Sequence, residues 1–441
     1  MRRVVVTGLG AVTPLAVGVR PTWKRLLAGE TGITSVLEHR EPRSQWKGIP
    51  STVAGLVPQA RDGGEKGWQG AGGENEWRAS EWLSNGERDR MPRHTQFAIA
   101  ASDMAFRDAG WKPLTAGEKD MTGVSMGSGI GDLEQLFGTS LAYDQGGYKK
   151  TPPLFVPRIL LNMAAGHISM RHGLQGPNHC LTTACATGAD SVGDAFTSIR
   201  LGRADVMLAG GTESCIHPLA LAGFSRLRSL STARNEDPGA SCRPFDRDRD
   251  GFVIAEGAAA LVLEELGHAR ARGARIYAEV RGWGSAGDAY HMTAPRADGD
   301  GALRAMRRAL REAGVEAGDV DYINAHATGT RVGDGAEILA IRELMAGVGR
   351  EVTVSGTKGA TGHLLGASGA LEAIFTVLAI HERMVPPTLN LDNPDVDGAG
   401  FNLVTVKAQR KEKLDIALSN SFGFGGANST LVFSRLGEED M

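Results

Sequence analysis

The chain opens on Arg3-Val4-Val5-Val6-Thr7-Gly8-Leu9-Gly10, a β-branched run that ends in two spaced glycines. β-Branched side chains fit a pleated surface better than a helix, so the run predicts a strand over residues 3–7. Similar short apolar runs predict strands at 124–126, 206–209, 259–263, 277–281, 322–323 and 430–433. Between them, apolar residues three and four apart predict helices at 95–109, 191–201, 302–313, 336–344 and 370–381. Strands alternating with helices make the chain α/β, with helices covering largely buried strands. The segment from Tyr277 to Gly282-Trp283-Gly284 repeats the strand-then-glycine form of the opening, a faint sign of two similar halves meeting near residues 267–275.

The 441 residues give room for two packed subdomains or one large unit. At 41% hydrophobic and 22% charged, the composition is that of a globular protein and suggests neither wholesale disorder nor a membrane protein. The 60 glycines, about twice the usual share of roughly 7%, predict many tight turns and close backbone approaches. A formal charge of −3 gives no global pull on nucleic acid or anionic lipid, so an acidic partner needs a local basic patch. Cys180, Cys185, Cys215 and Cys242 form neither a disulfide framework nor a CxxC zinc pair. They favour a reducing compartment and leave each thiol open as a nucleophile. No run of about 20 apolar residues suggests a membrane span, and no targeting peptide is read within this numbering. Residues 58–92, with seven glycines and several tryptophans, read as an inserted loop rather than a core element.

Four stretches carry chemistry. Thr182-Thr183-Ala184-Cys185-Ala186-Thr187-Gly188 precedes a helix whose Ala189, Val192, Ala195, Phe196 and Ile199 form a core-facing stripe. Unpaired N–H groups and the helix dipole there predict a thiol with lowered pKa; a buried structural cysteine is the commoner role for an isolated Cys. Asn324-Ala325-His326-Ala327-Thr328-Gly329-Thr330 sets a histidine among small residues at a strand end, fit to approach a carbonyl or simply to sit satisfied in the core. The stretch from Ser355 to Glu372 has Lys358 and His363 five apart on a Gly-rich turn. It lacks the order of a phosphate loop, and a Lys–Glu pair drawn inward must pair; such a pair could hold a histidine. Asn420-Ser421-Phe422-Gly423-Phe424-Gly425-Gly426-Ala427-Asn428 alternates bulky plugs with freely bending backbone, suited to gating an apolar tunnel or to closing the core as an aromatic turn.

In this order the four stretches resemble the elongating β-ketoacyl-[acyl-carrier-protein] synthases of the thiolase-like superfamily. The resemblance runs from the opening strand through Arg243-Pro244-Phe245-Asp246 and Asp250-Gly251-Phe252-Val253 to the Phe-Gly loop. Phe155-Val156-Pro157, Asn162-Met163-Ala164-Ala165-Gly166 and Gly176-Pro177-Asn178-His179 are most similar to the mitochondrial, bacterial-type members. It implies a five-layered αβαβα fold of two halves, 1–267 and 268–441, and a homodimer. By position it implies Cys185 as acyl acceptor, His326 and His363 as the pair that polarises the malonyl thioester, and Lys358 with Glu372 as their support. The N–H groups of Cys185 and Phe424 match the oxyanion hole, and Phe424 matches the gate with Phe422 beside it. Thr328 and Thr330 match pantetheine contacts, Ile130 and Phe224 acyl-pocket positions, and Lys149, Lys150 and Arg228 the entrance for an acidic acyl carrier protein. No cofactor or metal, no nucleic acid and no membrane insertion are implied. The compartment implied is the mitochondrial matrix, with cytoplasm as the alternative.

Two positions depart from the family pattern: Ala186 replaces the usual Thr or Ser, and Gly329 replaces a Ser, giving the form seen in polyketide synthases. A polyketide-type condensing enzyme and a non-catalytic acyl-binding partner subunit of the same fold therefore stay open. A coenzyme A thiolase would need a second reactive cysteine in the C-terminal part, and the last cysteine is Cys242.

Overall fold

The computed structural model describes residues 1–40, 43–60, 75–395 and 401–437. Among these, eleven strands hydrogen-bond in series: β1 (Val4–Val12), β2 (Thr122–Gly127), β3 (Asn178–His179), β4 (Val206–Glu213), β5 (Gly257–Glu265), β6 (Ala278–Gly287), β7 (Tyr322–Asn324), β8 (Val352–Ser355), β9 (Phe401–Leu403), β10 (Ile416–Gly423) and β11 (Ala427–Ser434). Their spatial order is β9-β8-β7-β10-β11-β6-β1-β5-β4-β2-β3. All seven predicted strands are present, most of them longer than the apolar runs suggest. The strand β10 carries no comparable β-branched run and escapes a reading by composition, whereas β8 does carry one, Val352-Thr353-Val354, too short to stand out beside the longer runs.

The order contains a repeat. The set β1-β5-β4-β2-β3 and the set β6-β11-β10-β7-β8 place corresponding strands in corresponding positions. In each, the first two pairings are antiparallel and the next two parallel. A brief antiparallel contact of β1 with β6, Val4 opposite Val280 to Val6 opposite Ala278, joins the sets.

The helices that position the site are α1 (Arg93–Ala109), α2 (Leu133–Gly146), α3 (Phe155–Ile159), α4 (Met163–His172), α5 (Thr187–Arg200), α6 (Pro218–Arg226), α7 (Asp300–Ala313), α8 (Arg331–Leu344) and α9 (Ser368–Glu382). Helix α1 packs on β1 and β5, and α7 packs on β6 and β11. Helices α5 and α9 pack on each other and touch strands of both sets. The layers are therefore helix, sheet, helix pair, sheet, helix: the five-layered αβαβα arrangement. The stripe predicted for α5, Ala189 to Ile199, lies in the central apolar cluster with the β1, β4 and α9 side chains. Helix α9 and the turn before it (Leu365–Glu382) are long and apolar enough to cross a bilayer. Here that character has another cause, because every side chain from Ser368 to Ile380 is buried between the two sheets.

The glycines of the opening strand are required by packing. A Cβ on Gly8 would lie 2.2 Å from Ala105 O, and one on Gly10 would lie 1.9 Å from Ala101 O, both backbone atoms of α1. The second half repeats the device: a Cβ on Gly282 or Gly284 would lie 2.5 Å from Ala309 O or 2.3 Å from Ala305 O of α7. Glycine-x-glycine on a strand thus meets alanines spaced by four on a helix, twice. Removing the side chains lets helix and sheet approach until backbone touches backbone.

One expectation needs correction. Of residues 58–92, the stretch 61–74 lies outside the described residues, and 75–92 is not a loop. It forms two short helices, Ala79–Trp82 and Asn85–Arg90, the second closed by a Ser84–Glu87 capping box. Trp77 is buried edge-on against Phe97 of α1 at 4.8 Å between ring centroids. Aromatic burial outweighs the loop-like composition around it.

Replacing Gly10 with Ala is expected to destabilise the fold by about 1–3 kcal/mol or more, since the obstructing atoms are backbone. Gly86→Ala, with open space around the new methyl inside a helix, is expected to be neutral or stabilising. Urea denaturation of both variants checks the contrast; a Gly10→Ala midpoint equal to wild type would contradict the packing argument.

Candidate active site

Two turns meet at the centre of the molecule. Ala184–Ala186 forms one 3-10 turn ahead of α5, and Leu365–Ala367 forms another ahead of α9. Each begins with a non-glycine residue in the left-handed region, Ala184 at φ 49° and Leu365 at φ 47°, a strained geometry that only dense surroundings sustain. The surroundings are the helices themselves. A Cβ on Gly188 would lie 2.6 Å from Ala370 N, and one on Gly369 would lie 2.7 Å from Ala189 N. The first turns of α5 and α9 cross backbone to backbone, which presses the two 3-10 turns together. Cys185 rides on the first turn; Gly366 holds the matching place on the second.

Cys185 is half-buried. The backbone N–H of Phe424 stands near enough to its sulfur to favour the thiolate. Gly423 brings that N–H close, since a Cβ there would lie 2.5 Å from Thr183 O and 3.1 Å from Cys185 N. Its loop is the tight connection between β10 and β11, where Gly425 and Gly426 take left-handed φ. The lowered thiol pKa expected from the helix start is not found. Burial pushes the Cys185 thiol up to about 12, and the Glu213 and Glu372 carboxylates push the same way against the pull of Lys358 and the Phe424 N–H. Loss of water around the thiolate outweighs the dipole.

The histidines come from the second half. His326 follows β7, and its backbone is fixed by Glu337 of α8, whose carboxylate accepts from the N–H of His326 at 2.9 Å and of Ala327 at 2.8 Å. Asn420 Nδ2 donates to the same carboxylate at 3.1 Å. Lys358, fully buried, donates to His326 O at 2.5 Å, stands 3.4 Å from His326 Nδ1 and forms an ion pair with the buried Glu372. With the ammonium facing Nδ1, that nitrogen is the acceptor and Nε2 carries the proton. His363 Nδ1 lies 2.9 Å from Ser368 Oγ. The two imidazole centroids are 5.4 Å apart at 83°. Burial first and the Lys358 charge second hold both histidines well below their ordinary pKa, so both are neutral at neutral pH.

One cavity of about 640 Å³ is lined by Cys185, His326, His363, Phe422, Phe424 and Thr328 together with Thr330, Ile130, Phe224 and Arg228. Lys358 and Glu372 stand behind the wall rather than on it. Lys149 and Lys150 are exposed on a separate short turn and do not line it. Of the remaining cysteines, Cys215 and Cys242 are buried and Cys180 is partly so. Sequence reasoning missed Glu337, Ser368 and Phe252, whose ring meets His363 edge-on at 5.2 Å. All three lie inside or beside stretches quoted for other reasons; what singles them out is contact, not spacing.

Comparison with known proteins follows this geometry. The family description "Beta-ketoacyl synthase, N-terminal domain" matches residues 1–269, and "Beta-ketoacyl synthase, C-terminal domain" matches residues 277–392. The chain is 48% identical to 3-oxoacyl-[acyl-carrier-protein] synthase 2 of Rhizobium meliloti, with 99% of both chains covered. It is also 48% identical to the mitochondrial 3-oxoacyl-[acyl-carrier-protein] synthase of Arabidopsis thaliana, covering 99% of this chain and 94% of that one. Among solved structures, a β-ketoacyl synthase from Burkholderia phymatum superposes with TM-score 0.86 at 33% identity over 99% of this chain and all of that one. A type II polyketide ketosynthase in complex with its acyl-carrier protein superposes with TM-score 0.85 at 32% identity over the same shares.

Two outcomes follow from the site's electrostatics. Lys358→Met leaves the Glu372 carboxylate buried without its partner and is expected to cost about 3–5 kcal/mol. Adding Glu372→Leu is expected to recover at least half, read as the urea midpoint; equal loss in single and double variants would mean the pair carries no such coupling. For Cys185, a pKa raised to about 12 means the thiolate fraction keeps growing with pH below that value. Iodoacetamide labelling at this residue is therefore expected to climb from about pH 7 to about pH 9 without levelling near the ordinary thiol value of about 8.5. Mass spectrometry of the labelled peptide gives the rates, and a plateau by about pH 8 would show an activated thiolate instead.

Proposed function

The chain belongs to the β-ketoacyl synthase family and is an acyltransferase of the 3-oxoacyl-[acyl-carrier-protein] synthase type in fatty-acid elongation, and from this premise we propose how its residues divide the reaction. Cys185 attacks the thioester of an acyl carrier protein. Its sulfur bonds to the acyl carbon, the carrier sulfur leaves with the proton, and the N–H groups of Cys185 and Phe424 hold the passing oxyanion. Malonyl carrier protein then enters. His326 and His363 donate hydrogen bonds to its thioester carbonyl while the bond to the carboxylate breaks and carbon dioxide departs, leaving the electron pair as an enolate. That carbon attacks the Cys185 thioester, and the sulfur leaves as thiolate and takes a proton from water. Loss of carbon dioxide drives the condensation, so the scheme needs no metal and no redox cofactor.

The observation that carries this reading is the convergence on one cavity of a thiol, two neutral imidazoles and an aromatic, glycine-rich loop. Neutral imidazoles donate to an enolate without first giving up a proton, and Lys358 beside His326 Nδ1 favours the tautomer that does so. Phe424 serves as gate with Phe422 behind it, Thr328 and Thr330 meet the pantetheine arm, and Ile130 and Phe224 border the acyl chain. Arg228 at the cavity mouth, with Lys149 and Lys150 on the surface, attracts an acidic carrier. The assignment treats 1–267 and 268–441 as the halves supplying the nucleophile and the histidines. Homodimerisation is supported by exposed apolar residues on α2 and α3, among them Leu136, Phe137, Leu141 and Val156. The proposed compartment is the mitochondrial matrix, supported by the word "mitochondrial" in the name of the Arabidopsis relative, with cytoplasm as the alternative.

A polyketide-type condensing enzyme is the second reading. It is favoured by Gly329, which takes a left-handed φ of 84° and donates its N–H to Asp334. Malonyl extension alone fits the first reading; turnover of other extender units fits the second. In the main test, wild-type chain incubated with acyl carrier substrates of graded length gains the acyl mass on Cys185 and, with malonyl carrier, releases 3-oxoacyl product. Cys185→Ser is expected to fold normally and lose condensation by at least about a thousandfold, and undiminished product from it would refute the role of the thiol.

A further inference from the structure

Glu213, the last residue of β4, is completely buried and has no part in the reaction scheme above. Its carboxylate is ringed by five donors, none of them a cation. Oε1 accepts from Ser128 Oγ at 3.2 Å, Ile130 N at 3.1 Å and Gly131 N at 3.2 Å; Oε2 accepts from Gly129 N at 2.8 Å and Gly366 N at 3.2 Å. Four donors belong to the loop after β2, and the fifth belongs to the turn that leads into α9. The loop contributes Gly129 and Ile130 to the cavity wall, and the turn contributes Leu365. Cys185 lines the same cavity.

All five partners give protons, so the site demands an acceptor at both oxygens. An amide would turn its NH₂ toward N–H groups and lose at least two of the bonds. The backbones are also too close for any other filler, because a Cβ on Gly129 would lie 2.7 Å from Glu213 Oε2 and one on Gly366 would lie 2.6 Å from Gly129 N. Only a carboxylate at this depth spans the gap between the two halves at this point. A nest of N–H groups satisfied by a fixed anion is rigid, and here the rigid unit carries Gly129, Ile130 and Leu365 of the cavity that Cys185 also lines.

We propose that Glu213 is a positioning residue for acyl-chain selection: its carboxylate clamps the 128–131 loop to Gly366 and so fixes the spacing of Ile130 and Leu365 around the acyl chain on Cys185. This rests on the acyl-enzyme reading given above. Loosening the clamp lets the wall recede, which admits longer chains and weakens the fit of short ones.

The experiment is a profile of Cys185 acylation rate against acyl length, from about six to about sixteen carbons, by intact-protein mass for wild type, Glu213→Gln and Gly129→Ala. The second variant disturbs the same clamp from the loop side by pushing a methyl against Oε2. Both are expected to shift the ratio of long-chain to short-chain rate upward by about tenfold, the discrimination that one or two methylenes carry in an apolar pocket. The double variant is expected to add little, as for two faults in one contact. A folded pair of variants whose profiles parallel wild type, with all lengths slowed alike, overturns the proposal. So does failure of both to fold, which would make Glu213 a structural residue only. Wild-type chain that takes no acyl group at Cys185 would overturn the acyl-enzyme reading and this proposal with it, whereas acylated wild type with unchanged variant profiles removes the clamp alone.

Discussion

The site depends on how closely α5 and α9 cross. Gly188 against Ala370 and Gly369 against Ala189 leave no room for side chains at the crossing, so the helices meet along their backbones where both begin. Each is led by a strained 3-10 turn, and the crossing sets those turns side by side. The nucleophile rides on one turn and the histidine pair is tied to the other, through His363 and its neighbour Ser368. A wider crossing would separate the thiol from the imidazoles by the thickness of a side chain. Small residues at this point are therefore a geometric condition on catalysis, imposed far from any substrate contact.

Around that crossing the protein buries charge in quantity and answers most of it with backbone N–H. Lys358 and Glu372 neutralise each other, and the ammonium keeps one histidine in the tautomer that can donate. Glu337 and Glu213 have no such cation among the partners described; both are held by N–H groups from strained or glycine-containing segments. Burial pushes both carboxyls up, and the converging N–H donors oppose it. A carboxylate that collects several N–H groups locks the backbone that supplies them, which suits a site whose parts come from loops.

The thiol shows how a local rule can be right about a force and wrong about the balance. A helix start does favour an anion, but the burial around Cys185, with two carboxylates nearby, outweighs it, so the neutral thiol is the resting form. The same competition explains Trp77. Its neighbours have loop composition, yet the indole finds Phe97 and is buried, and the chain around it becomes helical. In both cases an interaction with residues distant in sequence exceeds a local tendency of about 1 kcal/mol.

The sequence by itself determined the alternation of strands and helices, because hydrophobic period and β-branching are local properties that burial merely confirms. It also marked Cys185, His326, Lys358, His363 and Phe424, since each stands in a stretch of small residues, and the order of those stretches along the chain resembles the β-ketoacyl synthases. The symmetry of the two halves was nearly silent, one faint echo of strand and glycine, whereas the fold displays it in strand order, in the paired Gly-x-Gly contacts and in matched turns at Ala184 and Leu365. Only the tertiary structure decided which buried acids are clamps, which charges reach the thiol and which side of a histidine faces the cavity. Those depend on distances between separate segments, 82 to 153 residues apart for the donors to Glu213, and no spacing along the chain encodes such a distance until the layers have closed.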